Sequence, residues 1–218
     1  MKKETAWRGM IYVAGMMIIA MGITFSTKSG LGISPMTSAP YALAKSLNLS
    51  FSKTVFVVYV IMVFVQVMIK GKDRVWRDFL QIPSSFIFTS FLNWFETLVT
   101  IEYHTLWQNL IISVIGSVLV GIGFAMMVDM QVVPNPPDGL IFVVSEYTKK
   151  ELGFWKNIFD FAFVIIAGVI DLLSAGKLVS IGIGTVLAMI ITGRVVALVN
   201  ALFKERMLEQ AGIHAHAC

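Results

Sequence analysis

The sixth long apolar stretch of this sequence contains a single charged residue, Arg194, well inside it. A charge at the centre of a bilayer costs at least about 2.5–3.5 kcal/mol on insertion scales, so an arginine there needs a partner. Asp160, one turn into the fifth apolar stretch, is the nearest plausible counter-ion by charge and depth. Two interpretations stay open. Arg194 and Asp160 form a structural ion pair, or Arg194 binds an anionic substrate while Asp160 couples transport to protons.

Polar residues at helical spacing mark the third apolar stretch. Gln81, Ser85, Thr89, Asn93 and Glu96 follow one another at intervals of 4, 4, 4 and 3, which places them on one helix face. Such a face either lines a water-filled path or bonds to neighbouring helices, because it cannot face lipid cheaply. On the first alternative Asn93 binds substrate and Glu96, close to the outer end, couples transport to an ion.

Two further segments could bind an anion. Gly-Leu-Gly-Ile-Ser-Pro at 30–35 and Val-Pro-Asn-Pro-Pro-Asp-Gly at 133–139 each follow a long apolar stretch and open a short helix. Ser34 and Asn135 stand directly before a proline, a good N-terminal signal. A helix N-terminus directed into the bilayer attracts carboxylate, sulfonate or phosphate through its free N–H groups and its dipole.

Two charged residues flank these helix starts. Lys28 lies close to the first start, and Asp138 sits in the first turn of the second, where capping the helix is its alternative role. The coupling candidates are Glu96 and Asp160. The predicted substrate-binding residues are Lys28, Ser34, Asn93, Asn135, Asp138 and Arg194.

The two broken segments occupy matching places in the two halves of the chain. Three residue pairs are 101 positions apart: Pro35/Pro136, Gly15/Gly116 and Gly22/Gly123. Paired apolar segments interrupted by Gly and Pro point to the binding site of a transporter. The short helices, at about 35–48 and 136–148, reach only about 20 Å, which is short of the ~30 Å hydrocarbon core. They are therefore predicted to be re-entrant or interfacial.

Composition and charge place the chain in a membrane. Of its 218 residues 57% are hydrophobic and 14% charged, whereas soluble domains carry about 25% charged residues. With the N-terminus inside, eleven Lys and Arg residues fall on the cytoplasmic side and four outside, which predicts that both termini are cytoplasmic. Six apolar stretches approach the ~20 residues that a membrane helix needs. They cover 10–28, 53–69, 79–100, 108–129, 156–173 and 179–202.

These features predict an all-α, polytopic membrane protein. Its six transmembrane helices form two inverted three-helix repeats, each with a short helix after its first span. Because three spans is an odd number, the second repeat enters from the opposite side of the membrane. A single membrane domain covers 1–218, with repeat one at about 8–100, repeat two at about 108–203 and a cytoplasmic tail at 204–218.

Catalytic motifs are absent from the sequence, so no enzymatic activity is predicted. It has no HExxH, no G-x-S-x-G and no phosphate-binding loop. The net charge of +4 comes from basic residues in loops and does not indicate nucleic-acid binding. The single cysteine, Cys218, excludes an internal disulfide and a Cys-based metal cluster. The terminal His214-Ala-His216-Ala-Cys218 could hold a soft metal, but such tails are usually disordered, and no metal or cofactor is predicted.

The stretch at 29–35 and the helix after it resemble the G-x-G-x-x-P segment of the YczE/YitT family of bacterial membrane proteins. Pro-Pro-Asp-Gly-Leu at 136–140 resembles the matching element of that family. The resemblance covers about 8–203. It implies a small polytopic protein of the bacterial cytoplasmic membrane, and it supplies neither a substrate nor catalytic residues.

The predicted function is a secondary transporter or channel-like permease for a small anionic organic solute. Its partners would be the solute and the lipid bilayer, and a homodimer is compatible with the sequence. The alternative is a non-transporting membrane protein that assembles or regulates another complex. In that case the polar helix face would contact a partner protein.

Overall fold

The computed structural model describes residues 2–100 and 105–213, which form helices and loops with no strand among them. His214, His216 and Cys218 of the tail lie outside the described residues. The helices are α1 (Lys2–Lys28), α2 (Pro35–Ser46), α3 (Phe51–Lys70), α4 (Trp76–Phe79), α5 (Gln81–Leu98), α6 (Leu106–Asp129), α7 (Pro136–Thr148), α8 (Leu152–Ala175) and α9 (Ile183–Gln210), with a 3-10 turn at Gly71–Asp73.

Five of the described helices are long and apolar enough to cross a bilayer: α1, α3, α6, α8 and α9. The prediction of six spans is therefore confirmed by length and composition for five. The stretch predicted at 79–100 forms α5, which has 18 residues and contains the polar stripe that lowers its hydropathy. At 1.5 Å per residue α5 is about 27 Å long, close to the ~30 Å hydrocarbon core.

The two short helices pack inside the bundle. α2 has 12 residues and α7 has 13, and each begins with a proline, whose missing N–H would be unpaired in a first helical turn anyway. The Ser38 hydroxyl of α2 lies 3.2 Å from the carbonyl oxygen of Phe163, at the middle of α8. Ala39 and Ala42 pack against Ala167 of the same helix. In the other half of the chain, α7 packs against α3.

Residues in the left-handed backbone region precede and follow each short helix. Asn48 and Lys149, both at φ 53°, follow α2 and α7. Gly30, at φ 65°, and Gln131, at φ 49°, lie in the loops that precede them. Left-handed φ is uncommon for residues other than glycine. Because both pairs are 101 positions apart, the two halves of the chain turn at matching places.

α1 and α6 form the centre of the bundle and run antiparallel, with glycines at their contacts. A methyl group on Gly15 would lie 2.8 Å from the Gly123 carbonyl oxygen, and one on Gly22 would lie 2.6 Å from that of Gly116. The reverse contacts are as close, 2.5 Å from Gly123 to the Gly15 oxygen and 2.7 Å from Gly116 to the Gly22 oxygen. Such small residues let helix backbones approach closely in lipid.

Two other helices, α5 and α9, flank this central pair. α5 packs on both α1 and α3, and a 2.8 Å hydrogen bond joins the hydroxyls of Tyr12 and Ser84. α9 packs chiefly on α6, where Gly121 contacts Val195, and exposes most of its other residues. We call the end of the bundle where α1 begins the near end, and the end where α1 finishes the far end.

A buried carboxylate organises the loop at the far end. Asp171 accepts hydrogen bonds from the N–H groups of Val179, at 2.8 Å, and Ser180, at 2.6 Å, and from the Ser180 hydroxyl at 3.0 Å. The Ser180 carbonyl accepts a 3.2 Å hydrogen bond from the N–H of Ile33. Asp171 thereby ties the α8–α9 loop to the segment that positions α2.

Candidate functional site

A cavity at the near end surrounds the N-terminus of α7 and has a volume of about 580 Å³. This volume lies within the ~300–1,000 Å³ range of small-molecule sites. Asn135 is the residue before α7, Pro136 and Pro137 begin it, and Asp138 completes the first turn. We call this space the α7 cavity. Its polar and charged lining residues are Gln66, Lys70, Asp78, Gln131, Asn135, Asp138 and Lys156.

Two carboxylates, Asp78 and Asp138, line the α7 cavity together with Lys70 and Lys156. Lys70 lies 2.7 Å from Asp78, which also accepts a 2.9 Å hydrogen bond from a backbone N–H before α4. Lys156 lies 3.6 Å from Asp160 one turn further along α8. No described residue donates a hydrogen bond to the Asp138 carboxylate, which lies within electrostatic reach of Lys156 and Asp160. Asp138 is thus the unpaired carboxylate of this cavity.

Two buried glutamines stand behind the first turn of α7. Gln81 donates from its side-chain nitrogen to the Gln66 oxygen over 3.2 Å, and the Gln81 oxygen has no hydrogen-bond partner among the described residues. Both amides lie against Gly139, where a methyl group would come within 2.8 Å of the Gln66 oxygen and 3.0 Å of the Gln81 oxygen. Sequence reasoning missed Gln66, although a glutamine within the apolar run of α3 was a usable signal.

A much smaller cavity lies at the N-terminus of α2, between α1, α6 and α9. Its volume of about 10 Å³ holds no more than one water molecule. The hydroxyls of Ser26, Thr37 and Ser117 line it and are bonded to carbonyls of their own helices or caps at 3.1, 3.1 and 2.8 Å. Ser34 and Thr192 complete the polar lining. We call this space the α2 cavity.

The α2 and α7 cavities share no lining residue, so Ser34 and Asn135 do not meet in one common space. They are nevertheless built from equivalent positions. Five of the nine residues that line the α2 cavity have a partner 101 positions later in the lining of the α7 cavity. The pairs are Ile23/Phe124, Ser26/Met127, Ile33/Pro134, Ser34/Asn135 and Thr37/Asp138.

Lys28 and Glu96 lie together in a third space of about 260 Å³ at the far end. Lys45, at the end of α2, faces the same space. Glu96 also lies beside the backbone N–H of Ser52, in the first turn of α3. The carboxylate therefore has two lysines and a helix N-terminus near it, which is a structural role available to Glu96 besides ion coupling.

The polar stripe of α5 divides into two parts. Gln81, Ser85 and Thr89 are buried, and the two hydroxyls bond to carbonyls of their own helix at 2.6 and 2.9 Å. Asn93 is exposed and accepts a 3.1 Å hydrogen bond from the hydroxyl of Ser52. Contacts between helices thus account for Asn93, which lines none of the three cavities.

The predicted ion pair between Arg194 and Asp160 is wrong, because Asp160 pairs with Lys156 of its own helix. Arg194 is exposed on α9 and has no ion-pair partner among the described residues. It continues a row of exposed apolar residues spaced four apart, Ile190 and Leu198. Its neighbour Val195 packs on Gly121, between the two glycines of α6, so Arg194 lies near the middle of the bundle's length.

Comparison with known proteins gives a family without an assigned activity. A family model described as a family of unknown function, DUF6198, matches residues 6–201. The uncharacterized protein YyaS of Bacillus subtilis (strain 168) is 26% identical over 186 residues, 84% of this chain and 88% of YyaS. The uncharacterized membrane protein YczE of the same organism is 24% identical over 194 residues, 88% of this chain and 85% of YczE. The predicted resemblance to YczE is confirmed, and no solved structure matches the chain.

Proposed function

Because this chain belongs to the DUF6198 family, whose function is unknown, we propose a function from its own geometry. The protein is a permease for a small organic solute in the bacterial cytoplasmic membrane, and it has no enzymatic role. Two inverted repeats form it, with α5 as the sixth span and both termini in the cytoplasm. The cavities at α2 and α7 open alternately to the two sides of the membrane.

Reciprocal glycine contacts support the inverted repeat. Gly15 and Gly22 of α1 are equivalent to Gly116 and Gly123 of α6, and each glycine touches the helix in which its equivalent lies. A two-fold axis that exchanges the halves carries Gly15 onto Gly116 and Gly123 onto Gly22. A contact between Gly15 and Gly123 therefore requires one between Gly116 and Gly22, and both contacts are present. The matched left-handed residues before and after α2 and α7 support the same relation.

The helix neighbours support the same symmetry. α2 packs on α8 of the second half, and α7 packs on α3 of the first half. α5 packs on α1, and its equivalent α9 packs on α6. One pair of contacts breaks this symmetry. α5 also packs on α3, but α9 leaves α8, the equivalent of α3, largely uncovered. The two halves have the same parts in different arrangements.

The unequal volumes of the α2 and α7 cavities are the observation that carries the proposal. One is about 10 Å³ and the other about 580 Å³, although five of the nine residues that line the smaller cavity have a counterpart 101 positions later in the lining of the larger one. In an inverted repeat, exchanging the conformations of the two halves closes the open cavity and opens the closed one on the other side. The exchanged state has the same types of helix contact as the first, so the two states can be close in free energy.

Cysteine labelling tests alternate opening without knowledge of the solute. In a Cys218→Ser background, Asn135→Cys and Ser34→Cys are introduced singly and together. Neither residue makes a side-chain capping hydrogen bond, so each substitution removes little stabilisation. A membrane-impermeant maleimide is applied to intact cells and to inverted vesicles.

We expect Asn135→Cys to react only from the cytoplasmic side and Ser34→Cys only from the outside. In the double variant, a bulky adduct at Asn135→Cys should hold the α7 cavity open and slow the reaction of Ser34→Cys. Modification of Tyr147→Cys, an exposed position at the other end of α7, is the control and should leave that reaction unchanged. Labelling of both sites from one side, or no slowing by the adduct, contradicts the proposal.

A second candidate function is supported by the exposure of Arg194. An unpaired charge near the middle of a membrane helix, in a row of exposed apolar residues, fits a helix that binds a carboxylate of another membrane protein. In that case Arg194→Leu should abolish co-purification of a stoichiometric partner and leave the labelling pattern of the α2 and α7 cavities unaltered.

A further inference from the structure

We infer that the solute held in the α7 cavity is a small organic cation, whose ammonium group binds at Asp138. The inference rests on the proposed permease function, because it names the chemical class of the permeating solute. It replaces the anionic class that the helix N-termini and Arg194 predict from the sequence alone.

One carboxylate of the α7 cavity, that of Asp138, has no lysine paired with it among the described residues. The lining holds two lysines and two carboxylates. Lys70 pairs with Asp78, and Lys156 pairs with Asp160 outside the lining, which leaves Asp138 without an ion-pair partner among the described residues. Asp138 is partly buried, and a carboxylate in such a place is stabilised when a positive charge or hydrogen-bond donors accompany it. A cationic solute supplies both, whereas an anionic solute would add a second uncompensated negative charge.

The first turn of α7 is poorly suited to binding an anion. Pro136 and Pro137 occupy its first two positions and have no N–H to donate. The N–H of Gly139 is bonded to the Asn135 carbonyl over 2.8 Å. The positive end of the helix dipole also already faces the carboxylate of Asp138 in the same turn. The N–H groups and the dipole that bind anions at other helix N-termini are therefore missing or already engaged at the start of α7.

Hydrogen-bond acceptors are in excess around Asp138. The side chain of Gln81 is 1% exposed, and its oxygen has no donor among the described residues. It lies behind Gly139 and beside Gln66, both of which line the cavity. Gln81 itself does not line the cavity, but Gln66 does, and its amide oxygen has a second lone pair beyond the bond from Gln81. A solute with N–H groups can donate to that oxygen.

The rest of the wall suits an apolar body attached to the ammonium group. Phe124, Met127, Ile141, Phe142 and Leu152 all line the α7 cavity. Ligand sites of this size are mostly apolar, with few polar groups that fix orientation. The solute class is therefore a primary alkylamine or a similar cation with a compact hydrocarbon part.

Three probes of one size test the charge of the ligand. Binding of n-butylammonium, butyrate and 1-butanol to the full chain in detergent is measured by calorimetry at neutral pH. The probes differ in charge and polar head and share the same carbon chain. The variants are Asp138→Asn, which removes the unpaired charge, and Glu146→Gln, which removes an exposed carboxylate at the other end of α7.

We expect n-butylammonium to bind wild type at least about tenfold more tightly than butanol or butyrate. Asp138→Asn should lose that margin and Glu146→Gln should keep it. Tighter binding of butyrate, binding of none of the probes, or equal n-butylammonium binding in Asp138→Asn overturns the inference. Wild type could also bind no n-butylammonium and yet change its melting temperature at low pH more than Asp138→Asn does. That result would mean that a proton occupies the site, and it also overturns the inference.

The two proposals fail separately. If butyrate binds and the α2 and α7 cavities still show opposite, coupled labelling, the permease remains and the charge class is wrong. If n-butylammonium binds at Asp138 and the labelling shows no alternation, the site is a receptor pocket and the permease is wrong.

Discussion

Substitution of Gly22 by alanine measures how tightly the central helix pair is packed. A methyl group at Gly22 would lie 2.6 Å from the carbonyl oxygen of Gly116 and 2.8 Å from the N–H nitrogen of Val120. Unstrained contacts are about 3.5 Å, so α1 and α6 must separate by about 0.9 Å, or the backbone must bend. Both obstacles are backbone atoms of a helix, which cannot rotate away as a side chain can.

The size of the effect follows from two opposing contributions. Overpacking costs about 1–3 kcal/mol, and a separation of this size forfeits up to about half of the dispersion energy at each contact. Replacing glycine by alanine in a helix contributes about 1 kcal/mol in the other direction. We therefore expect Gly22→Ala to lower the free energy of unfolding by about 0–2 kcal/mol.

Gly193→Ala is the matched control, because no atom lies within 4 Å of the position of a methyl group at Gly193. Gly193→Ala should gain helix propensity without the cost of overpacking. The free energies of unfolding of Gly22→Ala and Gly193→Ala should therefore differ by about 1–3 kcal/mol. Gly123→Ala, at the equivalent position of α6, should resemble Gly22→Ala. Equilibrium unfolding in mixed detergent micelles measures all three. Equal stability of Gly22→Ala and Gly193→Ala would refute the close backbone contact.

Three other variants have defined outcomes. Tyr12→Phe removes the hydroxyl that bonds to Ser84 and to a backbone carbonyl before α7, and should cost about 1–3 kcal/mol in the same unfolding assay. Asp171→Asn replaces an acceptor of three hydrogen bonds by a group that also donates, so a loss of about 1.5–3 kcal/mol is expected, with Ser180→Ala less damaging because it removes one bond. Arg194→Leu should leave the melting temperature in detergent unchanged or raise it, since the side chain is exposed and unpaired among the described residues; a clear fall would reveal an intramolecular partner.

Local sequence signals predicted the starts of the short helices well. A proline directly after Ser34 or Asn135 marks a helix start, and α2 and α7 begin where those prolines stand. Gly15 and Gly22 are seven positions apart, which puts both on one helix face, and α1 contacts α6 through that face. Such features depend on a few neighbouring residues, so a single sequence contains them.

Contacts between distant helices were beyond the same reasoning. Asp160 was matched with Arg194 by charge and depth, but Lys156, one turn away on its own helix, is its partner. The i, i+4 spacing of this pair was a local signal that sequence reasoning passed over. The exposure of Arg194 depends on how α9 packs, and no periodicity reports that. The unequal volumes of the α2 and α7 cavities likewise depend on how the helices pack, because five residue pairs 101 positions apart contribute to both linings.

The central claim is that the two halves are inverted copies, and the side of the membrane reached by Asn48 and Lys149 tests it most directly. These residues are repeat equivalents, both exposed and both at φ 53°, so cysteine is equally tolerated at either. In a Cys218→Ser background, an impermeant maleimide should label Asn48→Cys only from outside the cell and Lys149→Cys only from the cytoplasm. Labelling of both from the same side would contradict the inverted repeat and the permease built on it.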